Sequence, residues 1–119
     1  MIKFYCYSKC STCKKAQKYL EDHGVKTNIV DIKNHQLTAT DIKNLHELSG
    51  LPLKRLFNTS GNSYKELNLK ERLDTLSLEE AYQLLASDGM LIKRPVLVGN
   101  QVLFGFKEVE YEEFIRNVN

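Results

Sequence analysis

The sequence lacks three features that would point to a membrane or a nucleic acid. No apolar run approaches the ~20 residues that a membrane-spanning helix needs. The N-terminal residues lack the charged-then-apolar layout of a signal peptide. The formal net charge is only +2 in 119 residues, and the basic residues are spread along the chain. We therefore expect a cytoplasmic monomer with no direct nucleic-acid or membrane partner.

Cysteines are also few. Only three are present, and all lie between positions 6 and 13. A structural disulfide is not expected in a reducing compartment, so this crowding suggests chemistry. A structural zinc site uses four ligands, and the three histidines, His23, His35 and His46, show no ligand spacing. We predict no metal site, and we interpret Cys6, which interrupts a predicted strand, as a small buried side chain.

The motif Cys10-Ser11-Thr12-Cys13 lies between a predicted strand and a predicted helix. Unpaired N–H groups at a helix N-terminus, with Lys14 and Lys15 close by, favour the thiolate form of Cys10. Cys13 lies one turn later, on the face from which it can attack a mixed disulfide formed at Cys10. This position predicts a dithiol–disulfide site. Ser11 and Thr12 could hydrogen-bond a thiolate, as part of a substrate-binding site, or could simply cap the helix.

The pattern along the chain predicts a βαβ unit, a helical insert, a β-hairpin and a last helix. Residues 2–7 and 26–32 are β-rich, with a helical stripe between them that ends at Gly24. A strand, a helix and a strand within about 30 residues indicate parallel pairing. Near the C-terminus, two apolar runs surround a two-residue turn at Gly99-Asn100, and the last helix buries a stripe of four residues: Tyr111, Phe114, Ile115 and Val118.

The middle of the chain is predicted to be wholly helical. Thr38 with Asp41, and Ser77 with Glu80, have the spacing of capping boxes. No repeat, low-complexity tract or linker marks a second domain. We therefore predict one domain over 1–119, with a helical insert at about 37–90.

This order of elements, with two cysteines at the first strand–helix junction, resembles the thioredoxin-like α/β fold with a four-stranded mixed sheet. In that fold, a proline before the third strand commonly faces the cysteines as a cis peptide. The resemblance assigns this place to Pro95, with Arg94 beside the cysteines, and implies that Pro95 borders the substrate-binding site.

Three segments carry a more specific similarity over nearly the whole chain: Tyr7–Ala16, Leu56–Leu67 and Leu91–Val98. With them the sequence resembles the arsenate reductase-like family, which includes Spx and YffB-type proteins. The resemblance implies a thiol–disulfide oxidoreductase with Cys10, Cys13 and Arg94 as catalytic residues. It implies no bound cofactor, but an external reductant: glutathione, glutaredoxin, thioredoxin or another low-molecular-weight thiol. The substrate would be a small-molecule or protein thiol or disulfide.

Two alternative functions remain open within this resemblance. Spx-type members use the same cysteine pair as a redox switch and bind the RNA polymerase α subunit. Arsenate-reducing members resemble this chain at Cys10 and Arg94, but they typically carry serine where Cys13 stands and arginine where Lys14 stands. Because an oxyanion favours several guanidinium donors, arsenate reduction is the third interpretation.

Overall fold

The computed structural model of the protein describes residues 2–34 and 37–118. The chain forms two compact units: Met1–Ile32 with Arg94–Asn119, and Lys33–Lys93. All the residues predicted for the redox site belong to the first unit.

The first unit begins with the predicted βαβ arrangement. Strand β1 spans Lys3–Cys6, helix α1 spans Ser11–Asp22 and strand β2 spans Asn28–Asp31. The two strands pair in parallel, as predicted. The observed strands are shorter than the predicted ones. At β1 the reason is local, because the carbonyl of Tyr7 turns to accept the N–H of Cys10 at 2.9 Å.

The sheet is completed by strands β3 (Val96–Val98) and β4 (Val102–Phe104), followed by helix α6 (Glu108–Val118). β3 is antiparallel to both β1 and β4, which gives a four-stranded mixed sheet in the order β2-β1-β3-β4. This topology confirms the predicted thioredoxin-like α/β fold.

The predicted two-residue turn of the hairpin is wrong. Val98 pairs with Val102, so three residues connect the strands, and the N–H of Gly99 bonds to the carbonyl of Gln101 at 3.0 Å. Gly99 serves packing more than turn geometry. A Cβ built on it would lie 2.7 Å from Cζ of Phe114, so a side chain there would collide with the last helix.

One face of this sheet packs against α1 and α6. Phe4 and Leu97, which are paired across β1 and β3, are both fully buried there. Each large apolar side chain removed from water contributes roughly 1.5–3 kcal/mol. The helices supply the core residues that the 3.6-residue pattern predicts: Cys13, Ala16 and Leu20 from α1, and Tyr111, Phe114 and Ile115 from α6. This packing fixes the start of α1 beside the end of β1.

The second unit is mainly helical. Its α-helices are α2 (Ala39–Ser49), α3 (Asn62–Glu66), α4 (Leu69–Arg72) and α5 (Leu78–Ser87), with 3-10 turns at Leu53–Leu56, Leu73–Thr75 and Gly89–Leu91. Both predicted capping boxes are confirmed: Thr38 with Asp41 at α2, and Ser77 with Glu80 at α5.

The prediction that this region is wholly helical is wrong at one place. Phe57 and Ile92 form an isolated antiparallel bridge. The N–H of Asn58 bonds to the carbonyl of Leu91 at 2.7 Å, and the N–H of Lys93 bonds to the carbonyl of Leu56 at 2.8 Å. Extended backbone occurs here because these buried peptide groups pair with each other instead of within a helix.

Candidate active site

Cys10 is the N-cap residue of α1. Its backbone is extended, with φ −90° and ψ 116°, and its sulfur accepts the backbone N–H of Cys13 at 3.4 Å. Capping a helix is usually the task of a hydroxyl or carboxylate oxygen. A sulfur in this place accepts a hydrogen bond best when it carries negative charge, so the geometry favours the thiolate form.

The alternative in which Ser11 or Thr12 caps the helix is therefore wrong. Both residues follow the N-cap and lie in the first turn of α1, where Ser11 is exposed and Thr12 is half-buried. Their predicted part in substrate binding stays a prediction.

Cys13 is the buried member of the pair, with 2 % of its surface exposed. It lies on the core-facing stripe of α1, and its sulfur accepts the backbone N–H of Tyr7 at 3.4 Å. Burial raises the pKa of the Cys13 thiol to about 12; Cys10 raises it as well, although the Tyr7 N–H acts in the opposite direction. Cys13 is therefore a protonated thiol at neutral pH.

The pKa of Cys10 moves the other way. Burial by itself would raise it, but three groups together outweigh burial and lower it below the ordinary value: the side chain of Cys13, the backbone N–H of Cys13, and Arg94. Arg94 contributes both a hydrogen bond and its positive charge. The half-buried Cys10 thus ionises more readily, and the buried Cys13 keeps its proton to higher pH.

Arg94 and Pro95 follow the last residue of the second unit and directly precede strand β3 in the sequence. The Arg94–Pro95 peptide is cis, as the fold resemblance implies. Pro95 is buried, and its carbonyl accepts the N–H of Gly105 at 2.8 Å, which anchors this segment to the residue after β4. Arg94 is half-buried and acts on the sulfur of Cys10, so the structure brings Cys10, Cys13 and Arg94 together.

Cys6 lies at the end of β1 with 8 % of its surface exposed and belongs to the core cluster that contains Cys13. Its interpretation as a small buried side chain is confirmed. Burial raises the pKa of the Cys6 thiol, and the charges of Asp31 and Cys10 act in the same direction. Cys6 is therefore, like Cys13, poorly suited to act as a nucleophile at neutral pH.

Tyr7 is a member of this site that sequence reasoning missed. Its ring lies 5.5 Å from the guanidinium carbon of Arg94, a cation–π distance, while its backbone contacts both Cys10 and Cys13. The signal that could have found it is its place, because it directly follows β1 and lies three residues before the motif. The sequence places Tyr7 in the predicted strand 2–7 and in the segment Tyr7–Ala16 that carries the family resemblance, but it gives Tyr7 no role in the site.

The part of the chain that the structure describes contains neither a candidate membrane span nor a metal-binding cluster. No helix there is long and apolar enough to cross a membrane, and no three His, Cys, Asp or Glu side chains are grouped to hold a metal ion. His23 stacks on Tyr19, and His46 bonds to the hydroxyl of Tyr82 at 2.7 Å. His35 lies outside the described residues.

Residues 5–114 match the model of the ArsC family. The chain belongs to the ArsC family. This result confirms the arsenate reductase-like resemblance, and it covers both the cysteine motif and the Arg94–Pro95 segment.

Individual relatives of this ArsC family member differ in what they are called. It is 52 % identical over 113 residues to the uncharacterized protein YusI of Bacillus subtilis (strain 168), covering 94 % of this chain and 96 % of YusI. It is 27 % identical over 116 residues to global transcriptional regulator Spx 2 of Bacillus cereus, covering 97 % and 87 % of the two chains. Among solved structures, a possible arsenate reductase from Streptococcus mutans UA159 matches with a TM-score of 0.87 and 49 % identity, covering 96 % and 97 %.

Proposed function

We propose that the protein is a thiol–disulfide oxidoreductase in which Cys10 is the attacking thiolate and Cys13 the resolving thiol. One observation carries the proposal: the half-buried Cys10 sulfur caps α1 and accepts the Cys13 N–H, while the Cys13 sulfur is buried. This placement displaces the pKa values of the two thiols in opposite directions, and the more accessible sulfur is the more acidic. An exchange reaction needs this asymmetry, because a thiolate must attack first while its partner stays protonated.

In the first step, the Cys10 thiolate attacks one sulfur of a disulfide substrate. An S–S bond forms between Cys10 and that sulfur, the substrate's own S–S bond breaks, and its other half leaves as a thiolate. The positive charge of Arg94, which acts on the Cys10 sulfur in the resting protein, lies where this negative charge is redistributed.

The first step also prepares the second. The pKa of Cys13 is raised first by burial, but also by the hydrogen bond to Cys10 and by its charge. Once Cys10 is part of a mixed disulfide, that charge is gone, so Cys13 loses its proton more easily. The Cys13 proton passes to a released substrate thiolate, directly or through water. The Cys13 thiolate then attacks the Cys10 sulfur, the bond between Cys10 and the substrate breaks, and the second half of the substrate leaves as a thiolate.

The two steps transfer two electrons from the dithiol to the substrate and leave a Cys10–Cys13 disulfide. An external thiol must then return the electrons. We propose that glutathione, glutaredoxin, thioredoxin or another low-molecular-weight thiol does so, and that no bound cofactor takes part.

The test uses bis(2-hydroxyethyl) disulfide and mass spectrometry of the intact protein. We expect the wild type to accumulate the internal disulfide, Cys13→Ser to accumulate a mixed disulfide at Cys10, and Cys10→Ser to form neither. Cys6→Ala is the matched control, since it removes the third thiol and should behave as the wild type. Equal reaction of Cys10→Ser and wild type would refute the assignment of the nucleophile.

A second candidate is a redox-controlled transcriptional regulator that binds the RNA polymerase α subunit. Its support is the match of 27 % over 97 % of this chain to a protein described as a global transcriptional regulator. Binding of the isolated C-terminal domain of the α subunit, measured with the dithiol and the disulfide forms, separates the two functions. Binding that depends on the redox state favours the regulator, and no binding in either state excludes it.

Arsenate reduction is the third candidate, supported by the 49 % identity to a possible arsenate reductase. It requires arsenate-dependent turnover that disappears in Cys10→Ser and persists in Cys6→Ala. No turnover with any of the proposed thiol reductants excludes it.

A further inference from the structure

Tyr7 contacts Cys10, Cys13 and Arg94 in the candidate redox site. Its N–H donates to the Cys13 sulfur at 3.4 Å, and its carbonyl accepts the N–H of Cys10 at 2.9 Å. These contacts are made by the backbone, so any residue at this position could provide them. They do not explain why the position carries an aromatic ring.

The ring has a different contact. Its centroid lies 5.5 Å from the guanidinium carbon of Arg94, within the distance at which an aromatic face attracts a cation. Arg94 in turn acts on the Cys10 sulfur by hydrogen bonding and by charge. The ring, the guanidinium and the sulfur therefore form one chain of contacts from the end of β1 to the nucleophile.

We propose that Tyr7 is a positioning residue: its ring holds the Arg94 guanidinium beside the Cys10 sulfur. An arginine side chain has many rotamers, and a planar guanidinium placed on an aromatic face loses much of that freedom before the reaction begins. The role rests on the proposed function, because it matters only if Cys10 reacts as a thiolate. It extends that function by adding a residue whose ring acts on Cys10 through Arg94.

A purely structural role for the ring is the competing explanation. Tyr7 is half-buried, and the partly buried side chains packed against the core cluster of the first unit, in the part that the structure describes, include Tyr19 and Phe106 but not Tyr7. Removing the Tyr7 ring should therefore disturb Arg94 more than the core. Tyr19, which packs against the core and stacks on His23, offers the matched control.

The experiment measures the rate of Cys10 alkylation against pH, which gives the pKa of Cys10 directly. All variants carry Cys6→Ala, so that the measured alkylation reports Cys10 and not Cys6. We expect Tyr7→Leu to raise the pKa of Cys10 and to slow alkylation at neutral pH. Tyr7→Phe, which keeps the aromatic face, and Tyr19→Leu, which removes a ring that packs against the core, should both keep the parent pKa.

A double substitution tests whether Tyr7 acts through Arg94. Arg94→Gln should raise the pKa of Cys10 by itself, and adding Tyr7→Leu to it should change nothing further. If Tyr7→Leu does not fold, as judged by circular dichroism, replacing Tyr7 with 3,4,5-trifluorophenylalanine provides the same test. The fluorinated ring is close in shape to that of Tyr7→Phe, but its face has lost most of its negative electrostatic potential. The pKa of Cys10 should therefore rise relative to Tyr7→Phe.

The outcomes separate the two proposals. A parent Cys10 that titrates like a free thiol overturns the proposed function and the role of Tyr7 together. A lowered parent pKa that Tyr7→Leu and the fluorinated ring both leave unchanged overturns the role of Tyr7 alone. So does a rise that is equally large with and without Arg94.

Discussion

The backbone N–H of Cys13 donates to the sulfur of Cys10 at 3.4 Å, while the sulfur of Cys13 accepts the N–H of Tyr7 at the same distance. Cys13 thus donates a hydrogen bond to Cys10, and its own sulfur accepts one from Tyr7, the residue directly after β1. Negative charge is stabilised mainly at the outer sulfur because the inner one is more deeply buried. This arrangement gives the Cys10 thiol the lower pKa and the Cys13 thiol the higher pKa.

Replacing Cys13 should change the acidity of Cys10. The Cys13 side chain is the largest of the groups that lower the pKa of Cys10 against the opposing effect of burial. We expect Cys13→Ala to raise that pKa, because the thiol donor is lost and only the backbone N–H and Arg94 remain. Cys13→Ser should raise it less, since a hydroxyl can still donate. Alkylation against pH measures both, and identical curves for wild type and Cys13→Ala would contradict the prediction.

The stability of the reduced protein should depend on pH through two opposing thiols. The pKa of Cys10 is lower in the folded state than its unfolded value of about 9.0, so Cys10 contributes stability above pH 9 that is lost as pH falls through its folded pKa. The pKa of Cys13 is raised to about 12, so its contribution is complete below pH 9 and is lost as pH rises toward 12. Together they favour a maximum near pH 9.

Denaturant unfolding of the reduced protein checks this dependence, with Cys10→Ser as the comparison. Subtracting the free energy of unfolding of Cys10→Ser from that of the wild type removes the effect of other titrating groups. The difference should increase from neutral pH to about pH 9. A difference that stays constant over this range would show that Cys10 is not a thiolate stabilised by folding.

Cys6 should matter for stability and not for the exchange reaction. It is 8 % exposed and packs in the same cluster as Cys13 and Phe4. Cys6→Ala leaves a small void and should cost about 1 kcal/mol in the free energy of unfolding. Cys6→Ser places a hydroxyl in that apolar site and should cost more, about 1–3 kcal/mol.

Urea unfolding of the reduced proteins measures these costs, and the rate of Cys10–Cys13 disulfide formation measures function. Both variants should form the disulfide at the wild-type rate at a temperature where they are folded. A loss of rate in Cys6→Ala as large as that in Cys13→Ala would instead place Cys6 in the reaction.

Local chemistry explains which features the sequence predicts well. A capping box such as Ser77 with Glu80 lies within one turn, and the stripe of Tyr111, Phe114 and Ile115 follows from helix periodicity alone. The place of Cys10 at the start of α1 was predicted from the change of pattern at one junction. In each of these cases the interacting groups are close in sequence.

The features that were missed depend on residues far apart in the chain. The ring of Tyr7 faces Arg94, which lies beyond the whole second unit, and no local pattern indicates that contact. The bridge between Phe57 and Ile92 is likewise a long-range pairing inside a region with helical periodicity on both sides. The hairpin is predicted correctly, but its two-residue turn is wrong, since Gly99 is set by its close approach to Phe114 of α6 and not by a two-residue turn.

That glycine gives the last prediction. A Cβ on Gly99 would lie 2.7 Å from Cζ of Phe114, closer than real Cβ contacts allow, and 3.2 Å from Cε2 of the same ring, a tight contact. Phe114 is fully buried against the sheet, so its ring has little room to retreat. We therefore expect Gly99→Ala to cost about 1–3 kcal/mol in the free energy of unfolding, as overpacked cores do.

Asn100→Ala, at an exposed position in the same loop, is the control and should have little effect. Thermal and urea unfolding distinguish the two variants. Equal stability of Gly99→Ala and wild type would mean that the Phe114 ring shifts at no cost, and that Gly99 is needed for something other than its close approach to α6.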